Sequence, residues 1–410
     1  MPECYTNPLS LTSQFFFCGL PLRLDSYRGC AFQCSFCYAR YRGGNSPAAD
    51  VAPADPLKLQ RIFERTFRRR KTPGLIGQFL EERVPIHFGG MSDPFQPIER
   101  RFQITRRYLE TLIEYEYPTV ISTRSTLPAS EPYLGLLRNM KSVVVQFSFV
   151  STRADVSHRL EQHTPDPGAL LSTMETLAAC GIPVTCRWQP YLPHVSENPR
   201  EFVSRIASAG ARHVALEHLK LPVETNHTLF KVLEAGAGKD LRREYAAAGA
   251  RQDGRELLLP SHVKLPAILE VRGAAHEHGV SFGAADNEFQ YLSDSGCCCS
   301  GVDQFAGFEG WFKHQVAHAV RRCRGRRITY GSIAGYWTPD GSVDRWLNSH
   351  SRTGDNSTLR DHVRLRWNDV NCAFSPAAFY GVEATGELTP AGFRIYRWRE
   401  DLEKLPPGRA

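Results

Sequence analysis

Several features that mark other classes of protein are missing from this sequence of 410 residues. No run reaches the about 18 consecutive apolar residues that a membrane-spanning helix needs. The most apolar stretch near the amino terminus, residues 15–20, is too short for a signal-peptide core and has no basic segment before it. Twelve cysteines are too few for a disulfide scaffold, so we expect reduced thiols. The sequence therefore predicts a soluble, cytoplasmic protein that has no membrane partner.

Internal repeats and low-complexity tracts are also missing, and the composition is that of an ordinary globular protein. Hydrophobic residues make up 42% and charged residues 23%, which excludes a disordered chain, a collagen-like chain and a coiled coil. Lys and Arg number 50 against 43 Asp and Glu, giving a net charge of +7. This mild excess is compatible with a nucleic-acid or phosphorylated partner and does not require one.

Short apolar runs alternate with longer helical patterns over much of the chain. The apolar runs are rich in β-branched and aromatic residues and nearly continuous in hydrophobicity, as in a parallel sheet covered by helices. We therefore predict an α/β fold of repeated strand–helix units, forming a barrel or part of one. Strands are expected at 84–88, 118–123, 143–149, 183–188 and 213–216, and helices at 99–115, 130–140, 166–180 and 198–209.

Changes in composition suggest how the chain is divided. The alternation of strands and helices stops shortly before residue 300, and Gly, Asn, Asp and Ser become frequent after it. The predicted divisions are an amino-terminal extension at 1–20, a core at 21–289 and a smaller carboxy-terminal domain at 290–410. Within them we expect a mobile insertion or linker at 234–256, a helix and a strand over 263–284, and an amphipathic helix at 302–322.

The strongest motif is a group of three cysteines, Cys30, Cys34 and Cys37, in a C-x3-C-x2-C arrangement. Three thiolates this close in sequence can wrap one face of a [4Fe–4S] cluster and leave one iron open to a small molecule. A zinc site is the main alternative, although zinc usually takes a fourth Cys or His nearby. The remaining interpretation is that three buried core cysteines have this spacing by chance.

The residues around this motif resemble one family. Phe36 stands before the last cysteine, and the segments 27–30, 37–40 and 89–100, with Thr105-Arg106, resemble the spore photoproduct lyase-like branch of the radical S-adenosylmethionine (SAM) enzymes. Members of this branch are often labelled DNA repair photolyases. The resemblance covers roughly residues 20–290 and implies a partial (β/α)6-type barrel. It is specific for the cofactors and much less so for the substrate.

Radical SAM chemistry is what this resemblance implies. In the superfamily the open iron chelates SAM, and one electron from the cluster cleaves SAM to methionine and a 5′-deoxyadenosyl radical that abstracts a substrate hydrogen. The enzyme would thus have lyase or oxidoreductase-type activity, with a flavodoxin or ferredoxin as electron donor.

The same resemblance supplies candidate SAM-binding residues. Gly89 and Gly90 follow a predicted strand where the superfamily binds the SAM amino group, with Ser92 and Asp93 as candidate side-chain contacts. Many members have Glu after the glycines, whereas this chain has Met91. An ordinary strand-to-helix turn is the alternative.

Three further candidates lie on the following strands. Arg124, in a segment that resembles a Thr-Lys-Ser sequence of the branch, would take the role of the Lys as a contact to the SAM carboxylate. Ser148 matches a serine that contacts SAM, and Arg187 is a candidate partner for the carboxylate or ribose. For Ser148 and Arg187 a structural role remains open.

Two residues are candidates for a catalytic role. Tyr38 directly follows the cysteine motif and would contact SAM, relay a hydrogen atom or simply pack. Spore photoproduct lyase uses a cysteine as hydrogen donor, and Cys186 lies on a strand that we expect to face the barrel interior. A buried, inert cysteine is the alternative for Cys186 and for Cys180.

A second cysteine group, Cys297, Cys298 and Cys299, is the next most unusual feature. Neighbouring side chains point in different directions, so three consecutive cysteines do not easily face one metal. Two of them, with Cys323 or Cys372, could hold a second iron–sulfur cluster or a zinc ion. A reactive thiol pair and a reduced structural turn are the alternatives.

Two basic runs leave the substrate open. They consist of Arg61, Arg65, Arg68, Arg69, Arg70 and Lys71, and of Arg321, Arg322, Arg324, Arg326 and Arg327. If the two runs lie on one face of the protein, they would bind phosphate groups. If they are solvated helix ends, they would bind no ligand. The substrate is accordingly a nucleic acid or nucleotide, or a small molecule or peptide. A non-catalytic iron–sulfur or zinc protein that binds nucleic acid is the alternative function.

Overall fold

The computed structural model describes most of the chain. The described residues are 4–14, 18–41, 51–69, 74–224, 228–308, 316–323, 327–335, 338–347, 357–370, 375–379 and 381–399.

Fifteen strands lie in these described ranges. They are β1 (Leu9–Leu11), β2 (Leu22–Leu24), β3 (Tyr27–Arg28), β4 (Ala52–Pro53), β5 (Ile86–Phe88), β6 (Thr119–Thr123), β7 (Val143–Phe149), β8 (Val184–Tyr191), β9 (Ala211–His218), β10 (Leu221–Pro222), β11 (Arg251–Asp253), β12 (Glu256–Leu258), β13 (Ser281–Ala284), β14 (Val382–Leu388) and β15 (Arg394–Trp398).

Sixteen α-helices lie in the same part of the chain. They are α1 (Tyr38–Tyr41), α2 (Lys58–Phe63), α3 (Leu75–Glu81), α4 (Glu99–Phe102), α5 (Ile104–Glu114), α6 (Tyr133–Asn139), α7 (Ala154–Leu160), α8 (Pro167–Ala179), α9 (Pro199–Ser208), α10 (Thr228–Ala237), α11 (Leu241–Ala247), α12 (Ser261–Glu277), α13 (Val316–Arg322), α14 (Tyr330–Ala334), α15 (Leu359–Trp367) and α16 (Pro376–Phe379). Within the described residues, none of the helices is long and apolar enough to cross a membrane.

The main sheet has eight strands in the order β1-β2-β5-β6-β7-β8-β9-β13. Strand β1 is antiparallel to β2, and every other neighbouring pair is parallel. Helices connect the parallel strands and cover one face of the sheet, as parallel pairing requires. The α/β prediction of a partial barrel is confirmed.

The predicted helices match the observed ones closely where the sequence has both a periodic pattern of apolar residues and a capping residue that marks the start of the helix. Helices α8 and α9 each begin with a proline after a capping residue, and the side chains of Asp166 and Asn198 accept backbone N–H bonds there. The helix predicted at 99–115 is divided into α4 and α5, because Gln103 between them has a left-handed backbone (φ 52°).

Two predictions of local structure are wrong. The stretch 234–256, predicted as a mobile insertion or linker, is not a linker, since it contains the end of α10, all of α11, β11 and the first residue of β12. Its apolar residues are spaced at helical intervals and join a second buried cluster. The high content of Ala, Gly and charged residues obscures this spacing in the sequence. A single helix at 302–322 is also not found: Val302–Gln304 is a 3-10 turn, α13 begins at Val316, and 309–315 lie outside the described residues.

Both ends of the chain contribute to the core. Strand β1 comes from the predicted amino-terminal extension and pairs with β2. Trp367 and Tyr396 from the carboxy-terminal part are fully buried, and they belong to the same apolar cluster as the outer face of the sheet. The domain boundaries near residues 20 and 290 stay predictions.

The two faces of the main sheet have different surroundings. One face packs against the helices in the main apolar cluster. On the other face, Val120 and Val144, the second residues of β6 and β7, pack with Cys297, Phe305 and Phe308 in a third cluster. The segment Cys297–Phe308, here called the floor segment, therefore closes the barrel interior where the strands begin.

Candidate active site

The first cysteine motif forms a single loop between β3 and α1. Gly29 enters the loop with φ 82°, a conformation that favours glycine. Within the loop, the Cys37 amide donates to the Cys34 carbonyl (3.2 Å), and the Arg40 amide donates to the Cys37 carbonyl (3.0 Å). The loop thus carries all three thiols on a short, hydrogen-bonded piece of backbone.

This cysteine loop is fastened to two other parts of the fold. The fully buried Gln96 accepts a bond from the Ala31 amide (2.8 Å) and donates one to the Gly29 carbonyl (3.1 Å). Ser35 donates through both its amide and its hydroxyl to the Leu160 carbonyl at the end of α7. The loop conformation is consequently fixed by residues distant in sequence.

The electrostatic surroundings of the three thiols oppose ionisation in the absence of a metal. Burial raises the pKa of Cys30 and of Cys34 to about 12, and it also raises the pKa of Cys37. The Asp93 carboxylate adds to the rise at Cys30, whereas the Arg124 guanidinium opposes it at Cys34. Stable thiolates in this loop therefore need further positive charge.

The donor set fits an iron–sulfur cluster. Cluster irons take thiolate ligands and would supply the positive charge that the buried loop lacks. Within the described ranges, no group of three or more His, Cys, Asp or Glu side chains is arranged to hold a single metal ion. The fit thus rests on three thiols carried by one anchored loop.

Close packing requires glycine at position 89, the first residue after β5. A Cβ on Gly89 (φ 95°) would lie 2.5 Å from the Ser122 carbonyl oxygen and 2.8 Å from Cδ of Pro94. The Gly90 carbonyl accepts a hydrogen bond from the Tyr38 hydroxyl. Tyr38 thereby joins the glycine segment directly to the cysteine loop.

Ser92 and Asp93 are engaged in hydrogen bonds within the protein. The buried Ser92 hydroxyl donates to the Tyr27 carbonyl (2.7 Å). The Asp93 carboxylate accepts from the Phe95 amide (2.8 Å), the Thr123 hydroxyl (2.9 Å) and the Arg124 amide (2.6 Å). Burial raises the Asp93 pKa to about 6 despite these donors. Both side chains shape the turn beside the cysteine loop.

Arg124 connects three strand ends with the cysteine loop. Its guanidinium pairs with Glu161, donates to the carbonyls of Ser148 (3.1 Å) and Gln189 (2.9 Å), and lies 5.2 Å from the ring centre of Phe36. Its charge also acts on two of the three thiols. The sequence-predicted Arg124 and the cysteine motif are therefore neighbours.

Ser148 and Arg187 occupy adjacent positions of β7 and β8 on the interior face. Arg187 forms an ion pair with Glu217 on β9 (Nη2 to Oε2, 2.5 Å) and donates to Gln189. Burial lowers the Arg187 pKa, but the Glu217 carboxylate outweighs burial and holds it above its usual value. Arg187 is therefore a charged group inside the barrel.

The expected orientation of Cys186 is corrected by the structure. Cys186 is completely buried in the main apolar cluster between sheet and helices, on the opposite face of β8 from Arg187. Burial raises its pKa well above the usual value. A hydrogen donor must reach the barrel interior, and Cys186 does not face it.

The second cysteine group begins the floor segment. Cys297 and Cys298 are buried, and their thiols bond locally: Sγ of Cys297 donates to Oδ1 of Asp303 (3.1 Å), and Sγ of Cys298 lies 3.1 Å from Oγ of Ser300. The Cys299 carbonyl accepts from Nε2 of His213 (2.8 Å). These bonds hold the floor segment under the sheet.

The partners expected for this second group are not beside it in the described residues. The thiol of Cys323 donates to the Ser332 carbonyl (3.4 Å) in the carboxy-terminal part, and Cys372 lies outside the described residues. The thiol close to the group is Cys18, which interacts electrostatically with Cys298 and Cys299.

The basic runs are partly neutralised. Arg61 pairs with Asp55 (2.6 Å), Arg68 pairs with Glu114, and Arg327 pairs with Glu387 (2.8 Å). Four of the other basic residues, Arg70, Lys71, Arg324 and Arg326, lie outside the described residues, and the side chain of Arg321 is not described either.

Comparison with curated proteins identifies relatives that carry no named activity. No family model matches the chain. An uncharacterized protein of Mycobacterium tuberculosis is 26% identical over 218 residues, which is 49% of this chain and 60% of that protein. The chain thus matches less than two thirds of that curated relative.

Two solved structures are similar in fold. A spore photoproduct lyase mutant with bound AdoMet and dinucleoside spore photoproduct is 15% identical with a TM-score of 0.48, covering 66% of this chain and 79% of the lyase. The radical SAM methyltransferase TsrM from Kitasatospora setae is 13% identical with a TM-score of 0.38, covering 59% and 43%. The fold assignment itself rests on the strand order and register described above.

Several interior residues near this site were missed by the sequence analysis. Arg23, Gln146 and Glu217 are polar residues within apolar strands, and a polar residue that interrupts such a strand is a signal of an interior face. Cys18 carries no comparable signal, since only the folded chain brings it near the floor segment.

Proposed function

We propose that this protein is a radical SAM enzyme whose [4Fe–4S] cluster is held by Cys30, Cys34 and Cys37. The observation that carries the proposal is the anchored loop that presents three thiols beside the glycine turn after β5. When bound, such a cluster delivers one electron to SAM and yields methionine and the 5′-deoxyadenosyl radical that removes a substrate hydrogen.

The protein's own part is to bind and orient. Gly89 and Gly90 allow close approach of backbone to the SAM amino group, and Tyr38 holds this turn against the cysteine loop. Arg124 and Ser148 remain proposed SAM contacts. Arg187, which pairs with Glu217 on β9, is assigned to the substrate instead, as argued below. Because Ser92 and Asp93 already bond within the protein, we assign them to support of the turn.

The observations favour a small substrate over a long nucleic acid. The floor segment closes one end of the barrel, and part of each basic run is neutralised by ion pairs. The solved lyase that resembles this chain holds a dinucleoside, so a nucleotide-sized substrate also fits this proposal. A flavodoxin or ferredoxin is the proposed electron donor.

We assign no second cluster to Cys297–Cys299. Two of these thiols bond to Asp303 and Ser300 inside an apolar cluster, which supports a structural role. The other function considered, a non-catalytic metal protein that binds nucleic acid, differs from this proposal in one measurable respect. It would not cleave SAM.

The test is anaerobic reconstitution with iron and sulfide, followed by reduction with dithionite in the presence of SAM. We expect 5′-deoxyadenosine from the wild-type protein and none from a Cys30→Ala/Cys34→Ala/Cys37→Ala variant, because the cluster ligands are then lost. The matched control is Cys180→Ser, an exposed cysteine that should retain wild-type turnover. A wild-type protein that binds iron and leaves SAM intact would refute the proposal.

A further inference from the structure

The barrel interior is lined by a polar, partly accessible surface. On β5 to β8 the residues that face the helices are buried, whereas His87, Ser122, Ser148 and Arg187 on the interior face are partly exposed. Central strands of a closed core would be buried on both faces. The interior therefore has room for a polar ligand.

Two hydrogen-bonding groups in this interior have no partner in the part of the chain that the structure describes. Nε2 of Gln146 and Oγ1 of Thr185 are buried and bond to no described residue, although the two residues pair across β7 and β8. Gln146 accepts a bond from Ser122, which in turn bonds to Nε2 of His87 (2.7 Å). An unpaired buried donor is destabilising, so native structures rarely keep one unless a ligand or water completes it.

Cationic side chains line this interior. Arg187 and Lys220 share the carboxylate of Glu217, at 2.5 and 2.6 Å. Among the described residues, Arg23 has no carboxylate within ion-pair distance, and the carboxylate of its neighbour Asp25 accepts two backbone amides instead. Among the described side chains, Arg23 thus remains an interior cation without a carboxylate partner.

The guanidinium groups of Arg23 and Arg187 act on the same deep region. Burial lowers the pKa of His87, and both guanidinium groups lower it further. Burial raises the pKa of the Cys18 thiol, which lies by the floor segment, and both guanidinium groups oppose that rise. The charges that act on Cys30 and Cys34 are instead those of Asp93 and Arg124. The part of the interior between Arg23 and Arg187 is here called the deeper layer. Arg23 also donates through Nη1 to Sδ of Met91 in the turn after β5 (3.7 Å).

We propose that this deeper layer binds an anionic group, a carboxylate or a phosphate, of a small organic substrate, with Arg23 and Arg187 as the cationic contacts and Gln146 and Thr185 as neutral donors. Guanidinium groups and free donors together match an oxygen anion. The floor segment behind this layer limits the substrate to one that enters from the side of the cysteine loop. This inference rests on the proposed function and names the substrate class for the same site.

Anion binding can be tested without turnover. The reconstituted protein, saturated with SAM, is titrated at constant ionic strength with inorganic phosphate, with acetate or with glycerol, and thermal unfolding is followed by circular dichroism. We expect phosphate or acetate, but not glycerol, to raise the unfolding temperature with a saturating dependence. Which of the two anions binds more tightly distinguishes a phosphate from a carboxylate substrate.

Two variants make the result specific. Arg23→Gln should weaken the anion affinity at least about tenfold, whereas Arg61→Gln in the exposed basic run should leave it unchanged. Thr185→Val should weaken anion binding while the unliganded protein becomes no less stable, because it removes an unpaired buried hydroxyl. Thr185→Val also provides the test if Arg23→Gln does not fold.

Three outcomes would overturn the inference. The first is an anion affinity of Arg23→Gln, or of Thr185→Val if Arg23→Gln does not fold, that equals the wild-type affinity. The second is an effect of glycerol equal to that of the anions. The third is stabilisation by anions only when SAM is omitted, because the site would then bind the SAM carboxylate itself. Formation of 5′-deoxyadenosine is measured separately. A protein that cleaves SAM and ignores anions therefore contradicts this inference alone.

Discussion

Neighbouring residues on one strand can have unrelated chemistry, because successive side chains of a strand point to opposite faces. Cys186 and Arg187 illustrate this on β8. The thiol is enclosed by the apolar core, and the guanidinium forms an ion pair in the barrel interior. Identifying a residue type on a strand is therefore insufficient to assign it to a site, and its face must also be known.

His87 gives a residue-scale prediction about pH. Burial, together with the charges of Arg23 and Arg187, lowers the pKa of His87 from 6.5 to about 3. Between these values the unfolded chain binds a proton that the folded protein does not bind, so stability is lost as the pH falls below about 6.5. At about 1.4 kcal/mol per pH unit, His87 should cost up to about 2 kcal/mol at pH 5.

The measurement compares urea unfolding of wild type and His87→Gln at pH 7 and pH 5. We expect the variant to lose less stability on acidification, since glutamine can bond to Ser122 without titrating. His278→Gln changes an exposed histidine and should follow the wild type. If His87→Gln shows the wild-type pH dependence, the imidazole does not stay neutral in the interior.

At the scale of elements, the turn after β5 determines how the cysteine loop meets the sheet. Gly89→Ala would introduce a Cβ 2.5 Å from the Ser122 carbonyl oxygen in a left-handed backbone. We expect a loss of roughly 2–4 kcal/mol in the free energy of unfolding, from steric overlap and backbone strain together. Equilibrium unfolding in urea measures this loss.

Gly181→Ala is the matched control for the turn. Gly181 also has a left-handed backbone (φ 78°), but a Cβ there would meet nothing within 4 Å. That substitution should cost only about 1 kcal/mol, the strain term alone. Equal losses in the two variants would mean that the turn tolerates the contact with β6.

The elements could be predicted from sequence more fully than the site. The strand Val143–Phe149 was predicted with its observed bounds, because a run of β-branched and aromatic residues is a local signal. The helices of 228–247 were missed, because alanine and charge dilute the apolar periodicity there. Tertiary packing brings Cys18 close to Cys299 and places Arg23 and Arg187 in the same interior. No local sequence pattern encodes that packing.

At the scale of the whole molecule, the cysteine loop joins parts of the chain that are distant in sequence. Gln96 holds it to the segment after β5, and Ser35 holds it to the end of α7. Phe36 packs against the second apolar cluster, to which α10 and α11 contribute. A cofactor bound by this loop would stabilise all of these parts together, because binding to the folded state alone raises its stability.

Removal of the proposed cluster should therefore destabilise the protein as a whole. We expect anaerobic chelation of iron to lower the unfolding temperature by at least about 5 °C, as one cooperative transition. Cys34→Ser, reconstituted in the same way, should unfold at the temperature of the chelated wild type, and chelation should not lower it further. Cys180→Ser, which changes an exposed cysteine outside the loop, should retain the full shift. An undiminished shift in Cys34→Ser would place the stabilising metal elsewhere in the chain, since Cys34 is the most deeply buried of the three proposed ligands.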